Sequence, residues 1–378
     1  MPLRALARVN LAAIERNVAR LRTGLSDGVE LAAVVKANGY AHGAVPVAQA
    51  ALAGGARSLA VVTAGEAAAL RDGGIDAPLL VMGALSDEEL PVAVAAGAEV
   101  VAWTESFVER VRRIRAPHAD APVRVHVKLD TGMGRLGTRD PDEAIRVAER
   151  VAADAPALEL AGAMTHLASA DEDPSFTATQ LGRFARFAET MRERWPGTVA
   201  HAANSAATLR EPASQFDLVR CGIAIYGCDP MNQDPAEHRL EPALELTSYV
   251  AAVKLARPGE SAGYGRRWVA SSETWLATVP IGYGDGIRRA LTNNCDVLIG
   301  GRRYPLVGTV SMDNITVELG SSAGDVRCGD VVTIIGTDGD ERQTTEDLAR
   351  RIGTINYEIL CGLTPRVTRV YHRDGTPV

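Results

Sequence analysis

Val34-Val35-Lys36-Ala37-Asn38-Gly39-Tyr40-Ala41-His42-Gly43 is the stretch on which the reading of this chain turns. Leu31 to Val35 is an apolar run long enough for a buried strand, and such a strand should end in turn residues. This one ends in Lys36, and an Asn38-Gly39 turn follows. Alternation puts Ala32, Val34 and Lys36 on one face and Leu31, Ala33 and Val35 on the other. An amine at the end of a buried strand, among small neighbours, is costly unless it is paired or neutral. A lysine that forms an imine with an aldehyde cofactor escapes that cost and uses the amine chemically. The plainer alternative is a strand-end lysine reaching solvent.

Outward from this stretch the same unit recurs, a short apolar strand followed by an amphipathic helix. Leu31–Ala37, Ser58–Thr63, Leu79–Met82, Glu99–Trp103, Val123–Asp130, Leu158–His166, Thr198–Ala203 and Leu218–Ile223 read as strands. Helical patterns lie between most of them, at Glu66–Arg71, Asp87–Ala96, Ser106–Arg115, Pro141–Ala152 and Thr177–Arg194. Leu6–Asn10 reads as extended, and Leu11–Leu21 has helical spacing. Eight strand-helix units in about 230 residues predict a closed (β/α)8 barrel of the TIM type, ahead of an open doubly wound sheet. A barrel places its chemistry where strands end. Lys36, Lys128, Asp130, His166, Asn204, Ser205, Arg220 and Gly222 all fall there, with Arg135 just beyond. Arg124, His126, Lys128 and Asp130 share one face of the fifth strand, so a polar row should point into the barrel, where it needs partners or a function.

After Leu240-Glu241-Pro242 the pattern changes to dense short strands with glycine-rich turns. These are Leu244–Val253, Trp275–Val279, Asp296–Ile299, Tyr304–Val310, Ile315–Glu318 and Val331–Ile335. One helical run, Thr345–Leu360, precedes a last strand at Arg366–Tyr371. The expected organisation is a barrel over residues 1–240 and a mostly β domain over 241–378.

The chain has 378 residues, a net charge of −7 and no Lys/Arg block, which argues against a nucleic-acid partner or an anionic membrane surface. Its hydrophobic fraction of 46% supports two large cores. Cys221, Cys228, Cys295, Cys328 and Cys361 are scattered and odd in number, so neither a zinc site nor a disulfide framework is expected. No signal-peptide core and no apolar run of membrane-spanning length is found, and the expectation is a cytoplasmic protein.

Gly132-Met133-Gly134-Arg135-Leu136-Gly137 matches a dinucleotide fingerprint, with Asp154 at a suitable distance. Four strand-helix units precede it, however, whereas the fingerprint usually opens its domain. Ser205 and the Gly222-Ile223 backbone follow strands seven and eight, where barrels often bind phosphate, and Tyr40 adds a phenol. With Lys36 they point to an aldehyde bearing a phosphate, namely pyridoxal phosphate. Arg220 then suits the pyridine nitrogen, because a cation there disfavours a protonated ring. A salt bridge from Arg220 to Asp217 is the structural alternative. Tyr264 and Tyr283 each stand between glycines, which can leave their side chains open to a ligand; a plain loop aromatic is the alternative for each, and composition picks neither as catalytic.

These motifs together resemble the alanine racemases from Ala5-Arg8-Val9-Asn10 to Arg366. The matching segments include Lys128-Leu-Asp-Thr-Gly-Met-Gly-Arg135, Met164-Thr-His166, His201-Ala-Ala-Asn204-Ser205, Arg220-Cys-Gly222-Ile223, Gly263-Tyr264-Gly265, Ser311-Met312-Asp313 and Asn356-Tyr357-Glu358. The resemblance implies a pyridoxal 5'-phosphate enzyme interconverting L- and D-alanine, supplying D-alanine for cell-wall peptidoglycan. It implies Lys36 and Tyr264 as the two bases, and Arg220 with His166 at the ring. Tyr40, Ser205, Gly222, Ile223 and Tyr357 would hold the phosphate, with Asn204 beside them. Arg135 and the Met312 backbone would bind the substrate carboxylate, supported by Tyr283 and Asp313. Lys128 matches a position often carbamylated in this family. A head-to-tail homodimer with shared active sites is implied, in which Tyr264, Met312 and Asp313 come from the partner chain. No metal is implied. Ser311 and Ala41 depart mildly from the family pattern. A decarboxylase of the same barrel class is the competing reading.

Overall fold

Eight short parallel strands close on one another in the first sheet. After β1 (Leu6–Asn10), which lies elsewhere, they are β2 Glu30–Val34, β3 Ser58–Val61, β4 Leu79–Val81, β5 Glu99–Ala102, β6 Val123–Lys128, β7 Leu158–Met164, β8 Val199–His201 and β9 Leu218–Cys221. Spatial order follows chain order from β2 to β8, and β9 pairs with β2. Two backbone bonds complete the ring, Asp217 N to Ala200 O and Arg220 N to Ala203 O, each 3.0 Å. The expected barrel is therefore present. The computed structural model describes residues 3–115 and 121–378.

Each strand starts within one residue of its expected position and ends one to three residues earlier. The polar groups expected at strand ends thus mostly sit in the loops just beyond them. Helices alternate with the strands and are capped locally. Asp140 caps Pro141–Ala153, with proline at the helix start, and Thr63 with Glu66 forms a capping box on Ala64–Asp72. The helix Ala44–Ala53 between β2 and β3 was not expected. Its sequence, AVPVAQAALA, has almost no polar face, so it carries little helical period to read.

The chain forms two compact units. One is the barrel unit, Ile14–Gly39 with Ala44–Ile225. The other joins Tyr226–Val378 to the N-terminal residues through Ala13 and to Tyr40–Gly43. In this second unit β1 pairs antiparallel with β10 (Leu244–Tyr249) and parallel with β20 (Thr368–Arg373). The remaining strands of that sheet are β11 Ala252–Ala256, β14 Thr274–Val279, β15 Asp296–Ile299, β16 Arg302–Val307, β17 Ile315–Gly320, β18 Val331–Asp338, β19 Glu341–Gln343 and β21 Thr376–Pro377, while β12 Ser261–Ala262 and β13 Trp268–Val269 pair as a separate ribbon. The helix expected over Thr345–Leu360 is two, Thr345–Arg351 and Asn356–Cys361. Gly353 between them has φ +68°, a left-handed conformation that stops a right-handed helix.

Candidate active site

Lys36 stands two residues past the end of β2, half-buried, and opens a left-handed turn. Ala37, Asn38, Gly39, Tyr40 and Ala41 have φ of 52°, 53°, 62°, 49° and 65° in succession. This differs from the expected strand running to Ala37. Each non-glycine residue held there costs roughly 1–2 kcal/mol, so the turn needs anchors. The Glu66 carboxylate accepts from Ala37 N at 2.6 Å and from Val62 N at 2.9 Å. Asn38 Oδ1 accepts from Ala44 N at 2.9 Å. Strain concentrated just past the lysine and tied down on both sides is the kind of backbone that clusters at functional sites.

Lys128, the last residue of β6, is 4% exposed, and its amine is pushed down to about 8. Burial is the main cause, followed by the charges of Arg220 and Arg135, with Asp130 opposing them. Arg220 in β9 is 3% exposed and is pushed down to about 10, again by burial. Its Nη2 donates to the carbonyls of Thr165 and Ala202, at 2.8 and 3.0 Å, and meets His166 Nδ1 at 3.3 Å. No carboxylate pairs with it among the described residues. The alternative partner, Asp217, bonds Arg192 and the Ala200 amide instead. His166 is held well below the usual imidazole range by desolvation and then by Arg220, Lys128, Arg135 and Lys36. That set of charges facing one imidazole gathers the strand ends into one barrel mouth, and His166 is neutral there.

The glycine motif has a different purpose from dinucleotide binding. Asp130 folds back and accepts from Gly132 N and Gly134 N, each at 3.0 Å, and from Arg139 Nε at 3.1 Å. The carboxylate occupies the amide nest that an anion would need, and these bonds hold Asp130 below the usual carboxylate range. Gly137 has φ +112°, and a Cβ there would lie 2.9 Å from Asp130 N. The loop presents Arg135 exposed. Asp154, the expected ribose acid, caps Pro141–Ala153 and faces Arg112 and Arg150.

Past β8, Asn204 caps Ser205–Arg210 through its side chain, which accepts from Ala207 N at 3.0 Å. That bond fixes the start of the helix whose first residue is Ser205. Ser205 Oγ is buried and accepts from Gly222 N at 2.9 Å, and Ala224 N lies 3.4 Å away. This brings a hydroxyl and the amides after β9 together. Ile223 is fully buried beside them in sequence.

In the β unit, Tyr40 is buried with its ring 4.8 Å from Tyr226 and 6.1 Å from Tyr357. Tyr226 is not among the residues singled out from the sequence. Elsewhere in this unit Tyr264, Tyr283, Met312 and Asp313 line one open concavity of about 640 Å³. Tyr264 is 75% exposed and Met312 50% exposed. Asp313 is fixed by Arg366 at 2.6 Å, and the Tyr264 carbonyl accepts from Thr309 Oγ1 at 2.6 Å. Both sequence-expected tyrosines therefore face the same open surface.

The sequence pattern described as "Alanine racemase, N-terminal domain" matches residues 9–230, and "Alanine racemase, C-terminal domain" matches residues 243–371. The chain belongs to the alanine racemase family. It is 40% identical over 369 residues to the alanine racemase of Geobacillus kaustophilus, covering 97% of this chain and 94% of the relative. It is 38% identical over 375 residues to that of Nostoc sp., covering 97% and 95%. The crystal structure of the Streptomyces lavendulae alanine racemase superposes with a TM-score of 0.92 at 36% identity, covering 98% of each chain. That of Bacillus anthracis, solved with bound L-Ala-P, superposes with a TM-score of 0.91 at 36% identity, covering 100% of this chain and 97% of the other.

Alanine racemases depend on pyridoxal phosphate, and the donor set of this chain fits that group. Lys36, Lys128, Arg135 and Arg220 bring positive charge to the barrel mouth, whereas the nearby Asp130 is taken up by its own loop and Arg139. Such a mouth is suited to an anionic ligand. A primary amine at the strained turn, a hydroxyl beside backbone amides and a buried cation without a carboxylate partner match an aldehyde, a phosphate and a pyridine nitrogen. Among the described residues no cluster of metal-ligating side chains is found, and no helix is long and apolar enough to cross a membrane.

Proposed function

We propose that this alanine racemase inverts L- and D-alanine with Lys36 and Tyr264 as bases on opposite faces of the substrate α-carbon. The observation that carries the assignment is the barrel mouth itself, where Lys36 sits on an anchored strained turn near a buried Arg220 that pairs with no carboxylate among the described residues. Pyridoxal 5'-phosphate, when bound, makes the α-proton of an amino acid acidic by drawing electron density into its ring. Lys36 holds its aldehyde. Ser205 with the Gly222 and Ile223 amides holds its phosphate, and the phenols of Tyr40 and Tyr357 complete that set by family likeness. Arg220 remains a cation at neutral pH even at about 10, so it would hold the ring nitrogen of the bound group unprotonated and restrain charge withdrawal. That suits a plain proton exchange over bond cleavage elsewhere on the substrate. Arg135 and the Met312 amide bind the substrate carboxylate, which leaves the α-carbon between the two bases.

The exposure of Tyr264 and Met312 supports a head-to-tail homodimer in which a second copy supplies Tyr264, Met312 and Asp313. A base that open to water is poorly placed for proton transfer until another surface covers it. The working location is the cytoplasm, and the product D-alanine feeds cell-wall peptidoglycan. Purified protein with pyridoxal phosphate and either alanine enantiomer, followed by chiral chromatography, tests the reading. Both reactions should approach an equal mixture. Carbon dioxide release without inversion would instead identify the decarboxylase chemistry of the same barrel class.

A further inference from the structure

A hydrogen-bonded chain leaves the cationic cluster and crosses the barrel interior to its N-terminal end. Arg220 Nη1 lies 2.8 Å from His201 Nδ1, His201 Nε2 lies 2.9 Å from His126 Nδ1, and His126 Nε2 lies 2.5 Å from Glu99 Oε2. Glu99 is the first residue of β5, His126 lies within β6 and His201 ends β8. Glu99 drew no attention in the sequence, because one acid before three apolar residues reads as a strand edge. His126 was legible only as part of a polar row.

The donor inventory determines the direction of this chain. A guanidinium has N–H donors and no acceptor, so His201 Nδ1 must accept. His201 then carries its proton on Nε2 and donates it to His126 Nδ1, which must be unprotonated. The remaining proton of His126 is on Nε2 and points at Glu99, whose carboxylate accepts it. Every link donates the same way, from Arg220 towards Glu99. A doubly protonated His126 would reverse the middle link and set an N–H of His201 against Arg220. The low proton affinity of His201, due first to burial and then to Arg220, agrees with a neutral ring.

The scaffold around the chain is shaped for it. β7 carries a register shift opposite Val125 and His126 that brings Gly162 beside the His126 ring. A Cβ on Gly162 would lie 2.1 Å from His126 Nδ1, so the glycine provides the seat for the imidazole. Bulges re-aim side chains in this way, and a strand-interior glycine is otherwise a cost. Glu99 also accepts from Arg124 Nε at 2.9 Å, and Arg124 keeps a second partner in Glu159. A cavity of about 480 Å³ at the N-terminal end of the barrel reaches both Glu99 and His126, with Glu30, Arg57, Arg71 and Arg124 among its lining. Through it the acidic end of the chain meets solvent while the Arg220 end stays buried.

We propose that Glu99 is a positioning residue for Arg220: it accepts the last proton of the His126–His201 chain, and so holds both imidazoles, and with them the guanidinium, in the orientation in which Arg220 meets the ring in the barrel mouth. This rests on the role given to Arg220 above. Its logic is that of a carboxylate that fixes the tautomer of a functional histidine, extended here over two imidazoles.

Nitrogen-15 histidine NMR on the protein, with and without pyridoxal phosphate, tests it. In the wild type both His126 and His201 should be protonated on Nε2 and bare on Nδ1. Glu99→Ala should populate the opposite tautomer of His126 and lower kcat about 10-fold, with a smaller change in KM, as loss of outer partners does elsewhere. Glu99→Gln keeps an acceptor oxygen and should restore the tautomer and most of the rate. Protonation on Nδ1 in the wild type overturns the proposal. So do tautomers that ignore Glu99→Ala. If that variant does not fold, Glu99→Asp, whose shorter side chain withdraws the acceptor from His126 Nε2, takes its place with the same expected and overturning results. Tautomers that follow Glu99, with turnover unchanged in both Glu99→Ala and Arg220→Lys, would overturn instead the role given to Arg220.

Discussion

Lys128 gives the most quantitative prediction. The chain has three lysines, Lys36, Lys128 and Lys254. Lys254 is exposed on β11 and serves as an internal control. With its amine at about 8 instead of 10.5, Lys128 is neutral in about one molecule in ten at pH 7. A lysine at the ordinary value is neutral in about one in three thousand, so the reactive fraction rises ~300-fold. A neutral amine adds to carbon dioxide: an N–C bond forms, one C=O electron pair moves to oxygen, and the nitrogen proton leaves. The product is an anion in place of a cation that Arg220 and Arg135 repel. Keeping the unmodified cation costs ~3 kcal/mol, which carbamylation removes and turns into attraction. Wild-type protein in carbon-13 bicarbonate at pH 8 should therefore show one carbamate signal and the mass of one added carbon dioxide. Lys254→Arg should keep it and Lys128→Met should lose it. Lys128→Met should also raise KM for alanine about 10-fold, because Arg135 loses an anionic neighbour. No adduct on the wild type, or an adduct surviving in Lys128→Met, would refute the reasoning.

Glu66→Ala removes the acceptor of Ala37 N and Val62 N and should destabilise the protein by about 1–3 kcal/mol, with weakened retention of pyridoxal phosphate. Thermal unfolding and cofactor release during gel filtration measure the two effects. Mixing inactive Lys36→Ala and Tyr264→Phe subunits should recover activity, since one site of a hybrid dimer is intact. No recovery after demonstrated subunit exchange would argue for sites within one chain. Asp130 is depressed by its loop amides and Arg139, so its contribution is present above the unfolded carboxylate value near 3.9 and is lost as pH falls through its lower folded value. Asp130→Asn should remove that part of the acid-side loss of stability, measured by unfolding between pH 2 and 5, as set by the ordinary carboxylate range.

The barrel was legible because each of its strands is a short apolar run bounded by turn residues, which survives reading one segment at a time. The strand ends were legible too, since a lysine, a histidine or an arginine closing an apolar run stands out. What could not be read was set by contacts remote in sequence. Nothing in Leu6–Asn10 says that it pairs with β10 and β20. Nothing in Lys36–Ala41 beyond Asn38-Gly39 signals a left-handed turn, because the Glu66 carboxylate that secures it lies a whole strand-helix unit later. The polar row on β6 was visible as a pattern, yet its partners, Glu99 on one side and His201 on the other, depend on strand register. The fingerprint glycines misled for a local reason: an amide nest looks the same in sequence whether a phosphate or Asp130 fills it.

The central claim is that two different residues serve the two faces of one carbon, and α-proton exchange in heavy water tests it most directly. In the wild type both alanine enantiomers should exchange and invert. Tyr264→Phe should slow inversion about 10²–10⁴-fold, the usual worth of a positioned base. Exchange from L-alanine should fall with it, while exchange from D-alanine, served by Lys36, should largely survive. Equal loss from both enantiomers would contradict the account, leaving Tyr264 a structural residue and Tyr283, on the same open face, the next to test.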